Sequence, residues 1–237
     1  MSPSTMLLRK SPAIAWTFSR PITNYKLRKM LKEFCKSWNA VYKSHRAEYH
    51  AGSVTIVEKG TQAKNKSLTL NCGEAVSFPS KQFDGYDMFS ALTNSNCDGA
   101  FLMTNDEGTY DLVFIEMKSR FSSQEVFEAK NQISETRAKI KSLFQMMTAF
   151  PPLPIRKVLG VIETMKLDED QEDLWLKLQM LPDEKLDFGW KLFKYGVFEG
   201  KTLFDKELNM PSTMTFSILL SDNDHYTVSY SDIPKTA

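Results

Sequence analysis

An apolar segment at residues 110–118, with the sequence Y-D-L-V-F-I-E-M-K, constrains the fold of this chain more than any other feature. β-Branched and aromatic residues are frequent in it, which indicates a buried strand. Residues 99–104 form a second short apolar run just upstream, and the tetrapeptide N-D-E-G at 105–108 between the two runs is typical of a turn. The sequence therefore predicts two strands joined as a hairpin.

A long helix and a further strand are predicted after this hairpin. Ser122 can cap a helix, with Glu125 three residues later as its capping-box partner. The helix should run to about residue 149, where two consecutive prolines end it. Residues 156–163, R-K-V-L-G-V-I-E, then form a buried strand. Strand, turn, strand, helix and strand predict an α/β fold with a central mixed β-sheet flanked by helices.

The N-terminal part of the chain is basic and has a helical pattern. Apolar residues recur at three- and four-residue intervals over residues 24–50. Residues 1–50 hold ten Lys and Arg against two Asp and Glu, whereas the rest of the chain holds twenty against twenty-seven. We therefore expect a basic helical segment over residues 1–52, whose charged face meets either an anionic partner or solvent.

The remaining segments give coarser predictions. Residues 53–57 and 67–71 alternate as strands do. Residues 73–96 are assigned to loops around a short helix, because proline, glycine and asparagine interrupt them. Residues 168–181 are assigned to an acidic helix and residues 214–231 to a hairpin.

Composition limits the class of protein. The 237 residues are enough for one substantial core, and no run approaches the roughly 18 to 20 apolar residues of a membrane span. The N-terminus matches a secretory signal poorly. Cys35, Cys72 and Cys97 are odd in number and lack a C-x-x-C spacing, so we expect reduced thiols in a cytoplasmic protein.

We expect the functional side chains at the end of the second strand of this hairpin. Side chains alternate along a strand, so Glu116 and Lys118 project from the same face, and the hairpin brings Asp98 back towards Glu116. Two such carboxylates, with the carbonyl of Met117, could hold one or two Mg²⁺ ions. Lys118 would then contact a scissile phosphate or the attacking water. The alternative is a structural ion pair of Glu116 with Lys118, in which Asp98 is only a turn residue.

The segments C-D-G-A-F-L and D-L-V-F-I-E-M-K-S resemble the core of the PD-(D/E)XK nuclease superfamily. The resemblance implies a restriction-endonuclease-like core of helix, three antiparallel strands, helix and a further strand, over about residues 70–165. It matches Asp98 and Glu116 to the two acids of the superfamily and Lys118 to its lysine.

The resemblance also implies roles for residues outside the hairpin. Gln132, on the helix after the hairpin, corresponds to a glutamine that some members use in catalysis. Glu74 is a weak candidate for a further acid on a preceding helix. The residue before the first acid is Cys97 rather than proline, a departure that the superfamily tolerates. We expect Arg137 and Lys139, on the polar face of the long helix, to lie in solvent rather than line a nucleic-acid groove.

The function that this resemblance implies is that of a Mg²⁺-dependent endonuclease that also accepts Mn²⁺ and acts on nucleic acid, with DNA as the expected substrate. Its small size is typical of a restriction or anti-phage defence effector that works as a homodimer or with a partner protein. The nuclease-like domain would span residues 53–237, preceded by a basic helix that contacts phosphates. The competing function is an inactive nuclease-like fold that serves as a nucleic-acid-binding or scaffold subunit. The expected phosphate contacts are Lys26, Arg28, Lys29, Lys32 and Lys36.

Overall fold

The computed structural model describes residues 24–58, 66–79, 95–147, 153–167, 184–200 and 214–234. Within these ranges the chain forms eight strands in one sheet and three α-helices. The helices are α1 (Asn24–Val41), α2 (Ser123–Met146) and α3 (Glu184–Tyr195). The strands are β1 (Glu48–Val57), β2 (Ser67–Phe78), β3 (Gly99–Thr104), β4 (Tyr110–Lys118), β5 (Ile155–Met165), β6 (Val197–Gly200), β7 (Met214–Ser221) and β8 (His225–Ser229).

The sheet is mixed. Its strand order is β1-β2-β3-β4-β5-β7-β6, and β8 pairs with β2. The first four strands are antiparallel neighbours, whereas β5 is parallel to β4 and β7 is parallel to β5. Helix α2 makes the connection from β4 to β5, as a parallel pair requires. The predicted α/β fold, with a central mixed sheet flanked by helices, is confirmed.

The two faces of the sheet are covered differently. The three helices pack on the face that carries Leu112 and Phe114. On the opposite face, which carries Val113, the first half of β2 folds back together with β1 and β8. A Cβ at Gly99 of β3 would lie only 3.1 Å from Cγ1 of Ile56 in β1, although β2 separates these strands in the sheet. The turn end of the β1–β2 hairpin, where the second half of β1 pairs with the first half of β2, therefore forms a second layer over the centre of the sheet.

Around the centre of the chain the elements follow the sequence prediction. Strands β3 and β4 have the predicted bounds, and the Asn105 side chain accepts hydrogen bonds from the amides of Glu107 and Thr109 in the turn between them. Ser122 caps α2, with its hydroxyl accepting from the Glu125 amide at 3.2 Å. Strand β5 contains the predicted residues 156–163.

Three predictions outside this region were wrong. Residues 73–78 continue β2 instead of forming a loop. Residues 214–231 are not a hairpin, because β7 pairs with β5 and β6 while β8 crosses to β2. Helix α1 ends at Val41, and residues 48–50 lie in β1. The predicted helix at 168–181 lies outside the described residues. So do residues 80–94 of the segment that was assigned to loops and a short helix.

Polar contacts explain the early end of α1. The Asn39 side chain donates to the carbonyl of Ala47 at 2.9 Å and accepts from its amide at 2.7 Å. Trp38 donates its indole N–H to the carbonyl of His45 at 2.6 Å. These bonds turn the chain back towards β1 before the helical pattern of the sequence stops. No helix in the described ranges has the length and apolarity that crossing a membrane requires.

Trp38 joins α1 to the rest of the core, so we expect Trp38→Ala to destabilise the fold. Its ring is fully buried and lies 4.8 to 6.0 Å, between ring centroids, from Phe34, Phe78 and Phe144. Urea unfolding should show a loss of about 3 to 5 kcal/mol. Lys29→Ala, on the exposed face of the same helix, should change the free energy of unfolding by less than about 0.5 kcal/mol. A loss below about 1 kcal/mol for Trp38→Ala would show that α1 is not part of this core.

Candidate functional site

The two predicted acids meet where the β3–β4 pairing ends. The last pair in this ladder is Gly99 with Ile115, so Asp98 and Glu116 lie immediately beyond it. The amide of Asp98 donates to Oε2 of Glu116 at 3.1 Å, and the amide of Met117 donates to Oδ2 of Asp98 at 2.9 Å. Each carboxylate is therefore held by the backbone that carries the other.

Lys118 and Gln132 complete the predicted group. Nζ of Lys118 lies 2.8 Å from Oε1 of Glu116 and donates to Oε1 of Gln132 at 2.7 Å. The Glu116 side chain is 5% exposed and that of Lys118 is 15% exposed, so both charges are largely withdrawn from water. The structure thus brings together all four residues that the sequence analysis selected as catalytic, including the one on α2.

Helix α2 also fixes the loop that leads into β3. The hydroxyl of Thr136 accepts from the amide of Cys97 at 2.9 Å. Lys139 donates from Nζ to Oδ1 of Asn96 at 2.8 Å. The expectation that Arg137 and Lys139 face solvent was wrong, since both are buried. The covered polar face of α2 therefore positions the first acid of the site.

Burial strongly perturbs Glu116. Burial and, second, the nearby charge of Asp98 together raise the pKa of the Glu116 carboxyl to about 8, against the opposing effect of Lys118. A carboxyl with this pKa is mostly protonated at neutral pH in the metal-free protein. A bound cation would favour the ionised form, so the site is electrostatically prepared for a positive charge.

A buried ion pair that the sequence analysis missed lies beside this group. Glu163 is opposite Met117 in the β4–β5 ladder and is 1% exposed. Lys66, just before β2, places Nζ 2.6 Å from Oε2 of Glu163 and 2.7 Å from the carbonyl oxygen of Lys118. Burial raises the pKa of Glu163 even against the Lys66 ammonium.

Glu58, at the end of β1, is a further acid near the site. Burial raises the pKa of its carboxyl, and the charge of Asp98 adds to the rise. Its amide donates to the carbonyl of Lys66 at 2.9 Å. The sequence contained a signal for Glu163, because that residue ends an apolar strand just as Glu116 does. It contained none for Glu58, which the folded-back hairpin brings to the site.

Glu74 does not belong to the site, so its assignment as a further acid on a helix was wrong. It lies in β2 and forms an ion pair of 2.5 Å with Nε of Arg28. Its amide donates to the hydroxyl of Thr104, whose partner in the β3–β4 ladder is Tyr110. Tyr110 lies six residues from Glu116 on β4, which is about 20 Å along an extended strand.

The predicted phosphate contacts on α1 lie in different surroundings. Arg28 is held at the far end of the strands by its ion pair. Lys32 lies over the ring of Tyr49, 4.9 Å from its centroid, and Lys36 pairs with Glu33 at 3.0 Å. Lys26 and Lys29 are exposed. Arg28 is therefore kept away from the acids, and the lysines of α1 remain candidates for phosphate contacts.

The oxygen atoms at the site suit a hard divalent cation. In the described part of the chain, no group of three or more His, Cys, Asp and Glu side chains could hold a metal ion. The carboxylates of Asp98 and Glu116 are two ligands. The Met117 amide faces Asp98, and its carbonyl projects to the same strand edge, which makes a third oxygen. Mg²⁺ keeps several waters, so two carboxylates and one carbonyl are a sufficient protein contribution.

Two pockets of about 290 and 240 Å³ lie at the other end of the strands, around the β3–β4 turn. Two acids line them. Glu74 is neutralised by its ion pair with Arg28, and Asp106 is an exposed residue of the β3–β4 turn. The charged groups at Asp98 and Glu116, and not the size of a cavity, therefore identify the candidate functional site.

Compared with protein-family models, curated proteins and solved structures, the chain matches none of them. The geometry of the site and the resemblance of its two short segments are therefore the features that point to a function.

The raised pKa of Glu116 predicts a pH dependence of stability in metal-free protein. The folded carboxyl binds its proton more tightly than the unfolded one, so its contribution is complete below about pH 4.5 and is lost as the pH rises through about 8. Urea unfolding in EDTA should give a free energy that falls over this range, and it should fall less in Glu116→Gln. Glu58 and Glu163 should preserve part of the slope in both proteins. Asp187→Asn, at an exposed carboxylate of α3, should leave the slope unchanged. Equal slopes for wild type and Glu116→Gln would contradict the assigned pKa.

Proposed function

We propose that this chain is a cytoplasmic Mg²⁺-dependent endonuclease with a restriction-endonuclease-like core of the PD-(D/E)XK kind. It acts on nucleic acid, and DNA is the expected substrate. The observation that carries the proposal is the convergence of Asp98, Glu116, Lys118 and Gln132 on one point. An E-x-K sequence that occurred by chance would not be expected to lie beside an acid from the preceding strand and a glutamine from α2. The succession of antiparallel β2, β3 and β4, then α2 and parallel β5, is further support.

The residues of the site have separable tasks in phosphodiester hydrolysis. A Mg²⁺ ion held by Asp98, Glu116 and the carbonyl of Met117 would neutralise charge on the phosphate and lower the pKa of a water. Lys118 would donate to the scissile phosphate or to the attacking water, orienting the water and favouring its deprotonated form. Gln132 accepts from the Lys118 ammonium and so fixes the direction of that donor.

The competing function is an inactive nuclease-like fold that binds nucleic acid or acts as a scaffold subunit. The observation that favours it is the lack, among the described residues, of a third metal-ligating side chain. The buried Glu116, held together with the half-buried Asp98, favours the enzyme, because a buried carboxylate without a function costs free energy. The proposed biological role, a restriction or anti-phage effector that works as a homodimer or with a partner protein, depends on the resemblance alone.

Cleavage assays test the proposal directly. Plasmid DNA and RNA should be incubated with protein in Mg²⁺, in Mn²⁺ or in EDTA, and we expect cleavage only with a metal ion. Asp98→Ala, Glu116→Ala and Lys118→Ala should each lower the rate by at least about 10²-fold, while Gln132→Ala lowers it less. Lys118→Ala should retain the rise in melting temperature that Mg²⁺ gives the wild type, because Lys118 does not contact the ion. A wild type that cleaves neither substrate, or whose melting temperature ignores millimolar Mg²⁺ and Mn²⁺, would contradict the proposal.

The salt dependence of binding tests the role of α1. If its exposed lysines contact phosphates, Lys26→Gln with Lys29→Gln should lower the slope of log affinity against log salt by about 1 per residue. Arg28→Gln should change the slope less, because Arg28 is paired with Glu74. DNA binding should be measured in the cleavage-deficient Asp98→Ala background. An unchanged slope in the double lysine variant would leave α1 without a phosphate-binding role.

A further inference from the structure

The end of β4 extends past its neighbour β3. The β3–β4 ladder stops at Ile115, whereas the β4–β5 ladder continues to the pair of Lys118 with Thr164. The last residues of β4, which include Glu116, therefore have a strand partner on one side only. On the side of β3, the carboxylate of Asp98 replaces the missing partner by accepting from the Met117 amide.

The ammonium of Lys66 binds the same strand end from another direction. It donates to the carbonyl oxygen of Lys118 at 2.7 Å and lies 2.6 Å from Oε2 of Glu163 on β5. Lys66 is 4% exposed and Glu163 is 1% exposed. The folded-back β1–β2 hairpin thus places a buried cation at the last carbonyl of β4, anchored on the adjacent strand.

This ion pair is poorly suited to stabilising the fold. Two buried charges lose their hydration, and well-packed apolar side chains at such positions are often as stable or more so. The Glu163 residue is only 1% exposed, so its carboxylate has lost the hydration that it has in the unfolded chain. Burial also raises the pKa of the Glu163 carboxyl despite the adjacent ammonium. A contribution other than stability is therefore the better explanation for the pair.

We propose that Lys66 and Glu163 are positioning residues for the nuclease site, which hold the final peptide of β4 so that Glu116 and Lys118 keep their places. This inference rests on the proposed function for its catalytic consequence, but not for its structural one. Neither residue contacts the scissile phosphate. They act through the Lys118 carbonyl, which lies in the backbone between the site residues and the folded-back hairpin.

The double variant Lys66→Met with Glu163→Leu tests the proposal by removing both charges and keeping apolar volume. We expect a melting temperature close to that of the wild type, kcat lowered at least tenfold, and an unchanged KM. Lys66→Arg keeps a cation at the carbonyl and should retain kcat within about threefold. The matched control is Lys166→Met with Asp222→Leu, which removes an exposed ion pair of 2.6 Å at the end of neighbouring strands and should change neither kcat nor the melting temperature. Wild-type kcat in the buried-pair variant would overturn the proposal.

A second measurement does not depend on nuclease activity. Amide hydrogen exchange at Met117 and Lys118, followed by NMR, should be at least tenfold faster in the buried-pair double variant, because its strand end is held on fewer sides. If the wild type cleaves no nucleic acid, the proposed function fails, and this exchange rate alone decides whether the pair positions β4. If the double variant does not fold, Glu163→Gln replaces it, since the amide keeps the shape but not the charge that anchors Lys66. Wild-type exchange rates at both amides would then contradict the inference.

Discussion

The reciprocal hydrogen bonds between Asp98 and the end of β4 fix the geometry on which the site depends. Glu116 accepts from the Asp98 amide, and Asp98 accepts from the Met117 amide, where strand pairing has just ended. These two hydrogen bonds to the carboxylates therefore replace strand pairing at the point where the β3–β4 ladder ends. Lys118 and Gln132 are positioned relative to this pair, because Lys118 binds Glu116 and Gln132 binds Lys118.

The arrangement concentrates charge where water is scarce. Burial raises the pKa of Glu116, Glu163 and Glu58, and the charge of Asp98 contributes to each rise. Such perturbed groups are frequent at functional sites, although structural ion-pair networks produce them too. A purely structural network is stable only if its charges are compensated. Here a carboxyl with a pKa of about 8 remains beside Lys118, which favours a site that gains stability by binding a further cation.

The parts of this structure that could be predicted from the sequence are local. The apolar runs, the turn and the helix cap fixed the β3–β4 hairpin and α2, and alternation along β4 placed Glu116 with Lys118. Gln132 came from the family resemblance, since helical spacing alone does not say which face meets the hairpin. Lys66 was missed because the folding back of the β1–β2 hairpin is a long-range packing event with no sequence signature.

The wrong predictions have the same origin. The resemblance suggested Glu74 as an acid on a helix, and glycine and proline suggested loops over residues 73–96, yet β2 continues through Glu74 to pair with β3. The segment S-D-N-D after β7 has the composition of a hairpin turn, but β8 crosses to β2 and completes the second layer. The helical pattern of the sequence places Lys139 on the polar face of α2, but its side chain is buried because it binds the loop before β3. In each case tertiary pairing overrode a correct local propensity.

Whether Asp98 and Glu116 share a divalent cation is tested most directly by anomalous diffraction from crystals grown in Mn²⁺. We expect one strong peak at the end of the β3–β4 hairpin, with carboxylate oxygens of both residues and the Met117 carbonyl oxygen at about 2.0 to 2.3 Å. The peak should be absent in crystals of Asp98→Ala. A map without a peak between the two carboxylates at millimolar Mn²⁺, or with peaks only at other acids, would contradict the assignment of this hairpin end as a metal-dependent site.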